Sequence, residues 1–254
     1  MPDNYFDSAL ALFHEDDKGT FMSGSFMNLL SDIHMAVVRG QTIPPVINPL
    51  VYVHQDIWNL ATIVLRLTWQ HDLRREGPPS DDQWMLFAQT DIDHFHVEFR
   101  SLFDYLAQAI VNLANQVGVV PSESFRRLRN WARESEGNKK RLGEDLAALV
   151  IGCEWFDDLR LIRDSIVHQG GFTIVFPVED RILFQVHQGS RRLVRVPNPL
   201  MWNENVGDFA LYAGHTVAQL LDYLERAAVV LRQRMIMDIV PSGTASYHPG
   251  FSLF

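Results

Sequence analysis

The chain has 254 residues, of which 47% are hydrophobic, and its formal net charge at pH 7 is −9. One cysteine excludes a disulfide framework and a multi-cysteine zinc site, and the acidity argues against broad electrostatic binding to nucleic acid, which depends on neutralising phosphates. No apolar run approaches the roughly 20 residues of a membrane span, and a secretory pattern is lacking, so we expect a cytoplasmic protein with no membrane partner.

The first part of the chain, residues 1–47, mixes short apolar stretches with scattered glycines and the pair Pro44-Pro45. This composition predicts an irregular N-terminal segment with one helix near Phe26 to Val38. We expect the segment to pack on the main body of the protein rather than to fold alone.

Two long helices are predicted next. Apolar residues recur at three- and four-residue steps from Pro49 to Arg75, and Gly77-Pro78-Pro79 then ends the helix. Ser80 has capping-box spacing to Gln83, so it is expected to begin a long central helix, which Gly118 closes.

Several shorter helices are predicted after this point. Ser122 is placed to cap a helix that continues to about Arg133. Glu136-Gly137-Asn138 interrupts the pattern, which resumes from Leu142 to Val167 with a break near Gly152.

A small β-insertion is predicted over residues 171–197. Phe172–Phe176 and Ile182–Val186 have the composition of two strands, and Leu193–Val196 is a candidate third. Asn205 is then placed to cap the last long helix.

These elements together predict a mainly all-α fold, an antiparallel helical bundle with a small β-hairpin insertion before the last long helix. The bundle is expected to occupy residues 48–240. Residues 241–254, rich in Gly, Ser and Pro, are expected to form a loose tail.

An arginine and a histidine stand five residues apart in the sequence LIRDSIVHQGG, at the end of a predicted helix. Arg163 carries a planar, charged fork that matches phosphate oxygens, and His168 can exchange protons near neutral pH. Residues five apart in a regular helix point about 140° away from each other. We therefore expect convergence to need a distorted last turn at Gly170-Gly171, or two subunits that bring their motifs together across a two-fold axis.

A helical bundle with Arg163, the polar residue Asp164 and, after three more residues, His168 resembles the HEPN superfamily through the signature RDSIVH. Members of that family use an Arg-x4-6-His pattern in metal-independent endoribonucleases, often toxins or antiviral effectors, that act as dimers with facing motifs. The resemblance implies that Arg163 binds the scissile phosphate, that His168 is the general base or acid, and that Asp164 orients one of the two.

The resemblance also implies the partners and products. The substrate would be RNA, cleaved to a 2′,3′-cyclic phosphate and a 5′-hydroxyl, the protein would be a homodimer, and an antitoxin or regulatory protein would control it. Other family members keep the bundle as a non-catalytic module that binds a protein, a nucleotide or RNA. The net acidity of this chain favours that alternative.

A cluster of cationic residues makes one basic face plausible in this otherwise acidic protein. The alternative is an ordinary solvated helix face. The cluster, expected to bind RNA, consists of Arg126, Arg127, Arg129, Arg133, Lys139, Lys140 and Arg141.

A metal-dependent bundle enzyme is a further alternative. Asp91, His94 and Glu98 share one face of the predicted central helix at steps of three and four residues. A matching Glu-x-x-His set on another helix is absent, and the usual role of such residues is a polar helix N-terminus. We therefore expect no metal and no other cofactor.

Overall fold

The computed structural model describes residues 24–41, 45–77, 81–114, 119–121, 123–168, 173–178, 181–186 and 206–238. In chain order the described residues form helices α1 (Gly24–Val38), α2 (Ile47–Glu76), α3 (Asp81–Leu113), α4 (Phe125–Glu134), α5 (Glu136–Leu142), α6 (Glu144–Ile151) and α7 (Phe156–His168), strands β1 (Thr173–Val178), β2 (Arg181–Val186) and β3 (Gly207–Asp208), and helix α8 (Phe209–Asp238).

The predicted fold class is confirmed: the described chain is mostly helical, with a small antiparallel sheet before the last long helix. β1 pairs with β2 in the register Thr173↔Val186, and β2 pairs with β3 in the register Leu183↔Asp208. The sequence did not predict β3. The candidate third strand over residues 193–196 lies outside the described residues.

Local capping differs from the prediction at two helix starts. Ser124 caps α4 by accepting a hydrogen bond from the backbone N–H of Arg127 at 3.2 Å. Ser122 and Ser80, the caps predicted from the sequence, lie outside the described residues. Glu136–Asn138 is not an interruption but the first turn of α5, because Ser135 caps it through the N–H of Asn138.

The described residues divide into two compact units. Of the described residues, the first unit contains 55–77, 81–102, 153–168, 173–178, 181–186 and 206–221, and the second contains 24–41, 45–54, 103–114, 119–121, 123–152 and 222–238. The domain boundaries expected from the sequence stay a prediction, and the tail over residues 241–254 lies outside the described residues.

The core of the first unit is aromatic and contains one polar ring. His96 is 1% exposed. Its Nδ1 lies 2.8 Å from the carbonyl oxygen of Ile92, and its Nε2 lies 3.0 Å from the hydroxyl of Tyr212. Because a carbonyl only accepts, Nδ1 carries the proton and the tyrosine hydroxyl donates to Nε2. The rings of Phe184 and Phe209 pack around this pair.

Burial determines the protonation of both groups in this pair. Burial lowers the pKa of His96 to about 4, although its hydrogen bond to the Ile92 carbonyl acts in the opposite direction. Burial also raises the pKa of the Tyr212 hydroxyl. The imidazole and the phenol are therefore both neutral near pH 7.

Within the first unit, α2 and α3 run antiparallel and are linked by polar contacts. Asn59 donates to Glu98 at 3.1 Å, and further along α2 the Nε of Arg66 donates to Asp91 at 2.9 Å.

The second unit has its own aromatic core. The rings of Phe103 and Phe125 lie 5.0 Å apart, and the ring of Tyr223 lies 5.6 Å from that of Phe103. The Tyr223 hydroxyl donates to the carbonyl of Leu149 at 3.2 Å, so α6 and α8 are joined by a buried hydrogen bond.

We predict that Tyr212→Phe lowers the free energy of unfolding by about 1–3 kcal/mol, because it leaves the buried Nε2 of His96 without a donor. Urea denaturation followed by circular dichroism measures this. The matched control is Tyr52→Phe, since Tyr52 is 49% exposed, and its effect should stay within about 0.5 kcal/mol. Equal effects of the two substitutions would contradict the assigned role.

Candidate functional site

Helix α7 brings Arg163 and His168 into direct contact within one chain. Nη1 of Arg163 lies 2.8 Å from Nε2 of His168. The helix continues through His168, so the predicted distortion of its last turn is not needed. The long side chain of Arg163 spans the angle that separates the two positions. The geometric argument for a dimer is therefore removed, while the dimer itself stays a prediction.

The donor and acceptor in this contact follow from the chemistry of the arginine. A guanidinium has five N–H donors and no acceptor, so Arg163 donates and Nε2 of His168 accepts. His168 is consequently a neutral ring with its proton on Nδ1. An exposed neutral imidazole is the form that can take up a proton.

Asp164 lies beside the pair and contacts the arginine. Its Oδ1 accepts from Nη1 of Arg163 at 3.3 Å, and its Oδ2 accepts from Nη1 of Arg160 at 2.8 Å. The sequence leaves open whether Asp164 orients the arginine or the histidine, and in the structure its carboxylate contacts Arg163. Arg160 was not identified from the sequence, although it stands four positions before Asp164, the spacing at which helical side chains meet.

The predicted RNA-binding cluster lies on α4 and α5 of the second unit. Its exposed members are Arg126, Arg127, Arg133, Lys140 and Arg141, with Lys139 partly exposed. Some of this charge is already paired, since Lys139 lies 2.6 Å from Glu136 and Arg127 lies 3.7 Å from Glu123.

Arg129 is an exception within the predicted cluster. Arg129 is 2% exposed, because it lies with Leu128 on the inward face of α4. A buried side chain does not reach RNA phosphates at the surface, so the structure does not place Arg129 on the basic face.

The side chains of the alternative metal site contact other side chains of the same chain instead. Asp91 is 4% exposed and pairs with Arg66. Nε2 of His94 lies 2.8 Å from Glu98. Among the residues that the structure describes, no group of three or more His, Cys, Asp or Glu side chains is arranged to hold a metal ion.

Sequence reasoning missed Asp56, a buried carboxyl that pairs with Glu98. Asp56 is 7% exposed, and its pKa is raised from 3.8 to about 7 by burial, by the charge of Glu98 and by a hydrogen bond between the two side chains. The Glu98 oxygens also accept from Asn59 and contact His94. The sequence contained a signal for this burial, because Asp56 stands among the apolar residues of α2.

No protein-family model matches the chain, and neither a curated protein nor a solved structure matches it.

Among the helices of the described residues, none is long and apolar enough to cross a membrane.

We predict that Asp56 makes the stability of the protein depend on pH. Its folded-state pKa of about 7 exceeds the ordinary 3.8, so the folded protein holds a proton that the unfolded chain releases. The free energy of unfolding should therefore fall as pH rises from about 4 to about 7. Asp56→Asn should remove this part of the fall.

Urea denaturation between pH 4 and pH 8 checks the prediction. Asp72→Asn is the matched control, since Asp72 is an exposed aspartate on the same helix. The proposed origin is wrong if the Asp56 variant shows the same fall as the control.

Proposed function

We propose that the chain is a metal-independent endoribonuclease that cleaves RNA through Arg163 and His168. The observation that carries the proposal is the 2.8 Å contact between Nη1 of Arg163 and Nε2 of His168 at the exposed end of α7. A permanently charged guanidinium, which can bind a phosphate, and a neutral imidazole thus stand side by side. A general base and a cation at the phosphate both accelerate attack by a ribose 2′-hydroxyl on the adjacent phosphate.

The proposed reaction begins when a phosphate oxygen replaces the imidazole as an acceptor for Arg163. The freed Nε2 of His168 then takes the proton of the 2′-hydroxyl, whose oxygen forms a bond to phosphorus. The bond from phosphorus to the 5′-oxygen breaks, and that oxygen leaves with a proton from solvent. The products are a 2′,3′-cyclic phosphate and a 5′-hydroxyl.

Charge stabilisation in this reaction belongs to Arg163, which offsets the negative charge that grows on the phosphate oxygens. Asp164 is proposed to orient this arginine through the 3.3 Å contact. No step calls for a metal ion. In this mechanism His168 is the general base, which narrows the choice between base and acid left open by the sequence.

The basic face on α4 and α5 is proposed to bind RNA through its phosphates, independent of sequence. Arg129 is omitted because it is buried. The role belongs to the exposed members Arg126, Arg127, Arg133, Lys140 and Arg141. The protein is further proposed to be a homodimer that acts in the cytoplasm, in defence or as a toxin. An antitoxin or other regulatory protein is proposed to control it.

A non-catalytic binding module is the second candidate. Trp58, Leu65 and Trp69 on α2 are 40%, 45% and 62% exposed, and they lie at steps of seven and four residues, on one helix face. Exposed apolar side chains grouped in this way are typical of protein interaction sites. The net charge of −9 also favours a protein partner over RNA.

We predict that the wild-type protein cleaves labelled RNA in EDTA and leaves cyclic phosphate ends. His168→Ala should slow cleavage at least about 100-fold, as expected for loss of a general base. Arg163→Lys should slow it roughly 100-fold, because an ammonium keeps the charge but not the fork. Gel electrophoresis with end-group analysis measures both effects.

The matched control is His34→Ala, a partly exposed histidine on α1, which should cleave at the wild-type rate. Intact RNA with wild-type protein of confirmed fold would exclude the ribonuclease and favour the binding module. Cleavage that survives His168→Ala would assign the activity to other residues or to a contaminant.

We predict that Lys140→Gln with Arg141→Gln weakens RNA binding. The test uses the His168→Ala background, in which RNA stays intact, and measures affinity by fluorescence anisotropy over a range of salt. The slope of log K against log salt should become shallower by about 0.7 for each lost phosphate contact. Arg232→Gln is the control, since Arg232 already pairs with Asp32 at 2.6 Å, and an equal loss in the control would exclude a specific basic face.

A further inference from the structure

The carboxylate of Asp164 is divided between two arginines of α7. Oδ2 accepts from Arg160 at 2.8 Å, and Oδ1 accepts from Arg163 at 3.3 Å. The three side chains are 25%, 16% and 24% exposed in that order. Because water is largely withdrawn from them, their charges interact more strongly than those of an open surface pair.

The two contacts differ in strength. The Arg160 contact has the length of a charge-assisted hydrogen bond, whereas the Arg163 contact is long for one. Nη1 of Arg163 instead makes its short contact, 2.8 Å, with His168. Arg163 is thus held on the histidine although a carboxylate stands next to it.

A free carboxylate and a guanidinium tend to pair through two parallel hydrogen bonds. Such a bidentate pair needs both oxygens of Asp164. Arg160 already donates to one of them, so Arg163 would have to share that oxygen's second lone pair and bring two guanidinium groups side by side. The two arginines therefore compete for Asp164.

We infer that Arg160 is a positioning residue, which keeps Arg163 on His168 by holding one oxygen of Asp164. Arg160 acts only through Asp164 and need not touch the substrate. The catalytic meaning of this arrangement rests on the proposed ribonuclease function, but the arrangement itself can be tested without RNA.

The two guanidinium groups also share a largely dry environment. The Nε atoms of Arg160 and Arg163 are buried and have no hydrogen-bond acceptor among the described residues. Asp157 lies 4.0 Å from Nε of Arg160, within ion-pair range but too far for a hydrogen bond.

The test substitutes Arg160→Gln in the full chain and measures the ¹⁵N shifts of the His168 ring, assigned by their loss in His168→Ala. In the wild type, Nε2 should be the unprotonated nitrogen and Nδ1 the protonated one. In Arg160→Gln, Arg163 should move to Asp164, and the His168 shifts should approach the tautomer mixture of free histidine. Arg160→Lys should restore part of the wild-type pattern, since an ammonium can still hold one oxygen.

Two further variants make the readout specific. Asp164→Asn removes the competing carboxylate, so adding Arg160→Gln to it should not change the His168 shifts further. Arg226→Gln is the control, because Arg226 pairs with Asp222 at 2.8 Å and with the same four-residue spacing. This control should leave the His168 shifts unchanged.

Wild-type His168 shifts in Arg160→Gln would overturn the inference, even if the variant melts at a lower temperature. A different tautomer in the wild type would overturn it as well. RNA cleavage is measured on the same proteins, where Arg160→Gln should lower kcat roughly 10- to 100-fold with little change in KM. Altered His168 shifts together with no cleavage by any protein would remove the ribonuclease function and leave the positioning role.

Discussion

A fully buried imidazole must have partners for both of its nitrogens, and the core of the first unit is built around this requirement at His96. The Ile92 carbonyl accepts from Nδ1 and the Tyr212 hydroxyl donates to Nε2. The bond to Tyr212 ties α3 to α8, whereas the bond to Ile92 lies within α3. The rings of Phe184 and Phe209 close around the pair. An unpaired ring nitrogen in such a core would cost the full desolvation of a polar group. The packing of α3 against α8 therefore includes a specific polar contact at this side chain.

The same chemistry takes a different form at His168. His96 and His168 both have one nitrogen that accepts a hydrogen bond, but His96 is 1% exposed whereas His168 stands at the exposed end of α7. A buried imidazole with two protein partners is inert. An exposed imidazole whose acceptor contact can be replaced by solvent or a phosphate is available for proton transfer. Burial thus distinguishes the structural histidine from the candidate catalytic one.

Much of the fold could be predicted from the sequence, because hydrophobic periodicity and Gly or Pro breaks are local signals. The long helices and the first two strands follow from these signals. The predicted interruption at Glu136–Asn138 was wrong, because the Ser135 cap begins α5 there in spite of the glycine that follows it. β3 could not be predicted, since a strand of two residues, Gly207–Asp208, exists only through its pairing with β2.

The sequence by itself determined the helical class, the β-insertion and the residue types of the candidate site, since each is encoded in a short stretch of chain. Only the tertiary structure decided what those side chains do. It buried Arg129 on the inner face of α4, joined Asp56 to Glu98 across two helices, and turned Asp91 toward Arg66. The reason is physical: burial and partnership are properties of side chains from distant positions, and they determine which charged groups are free to act.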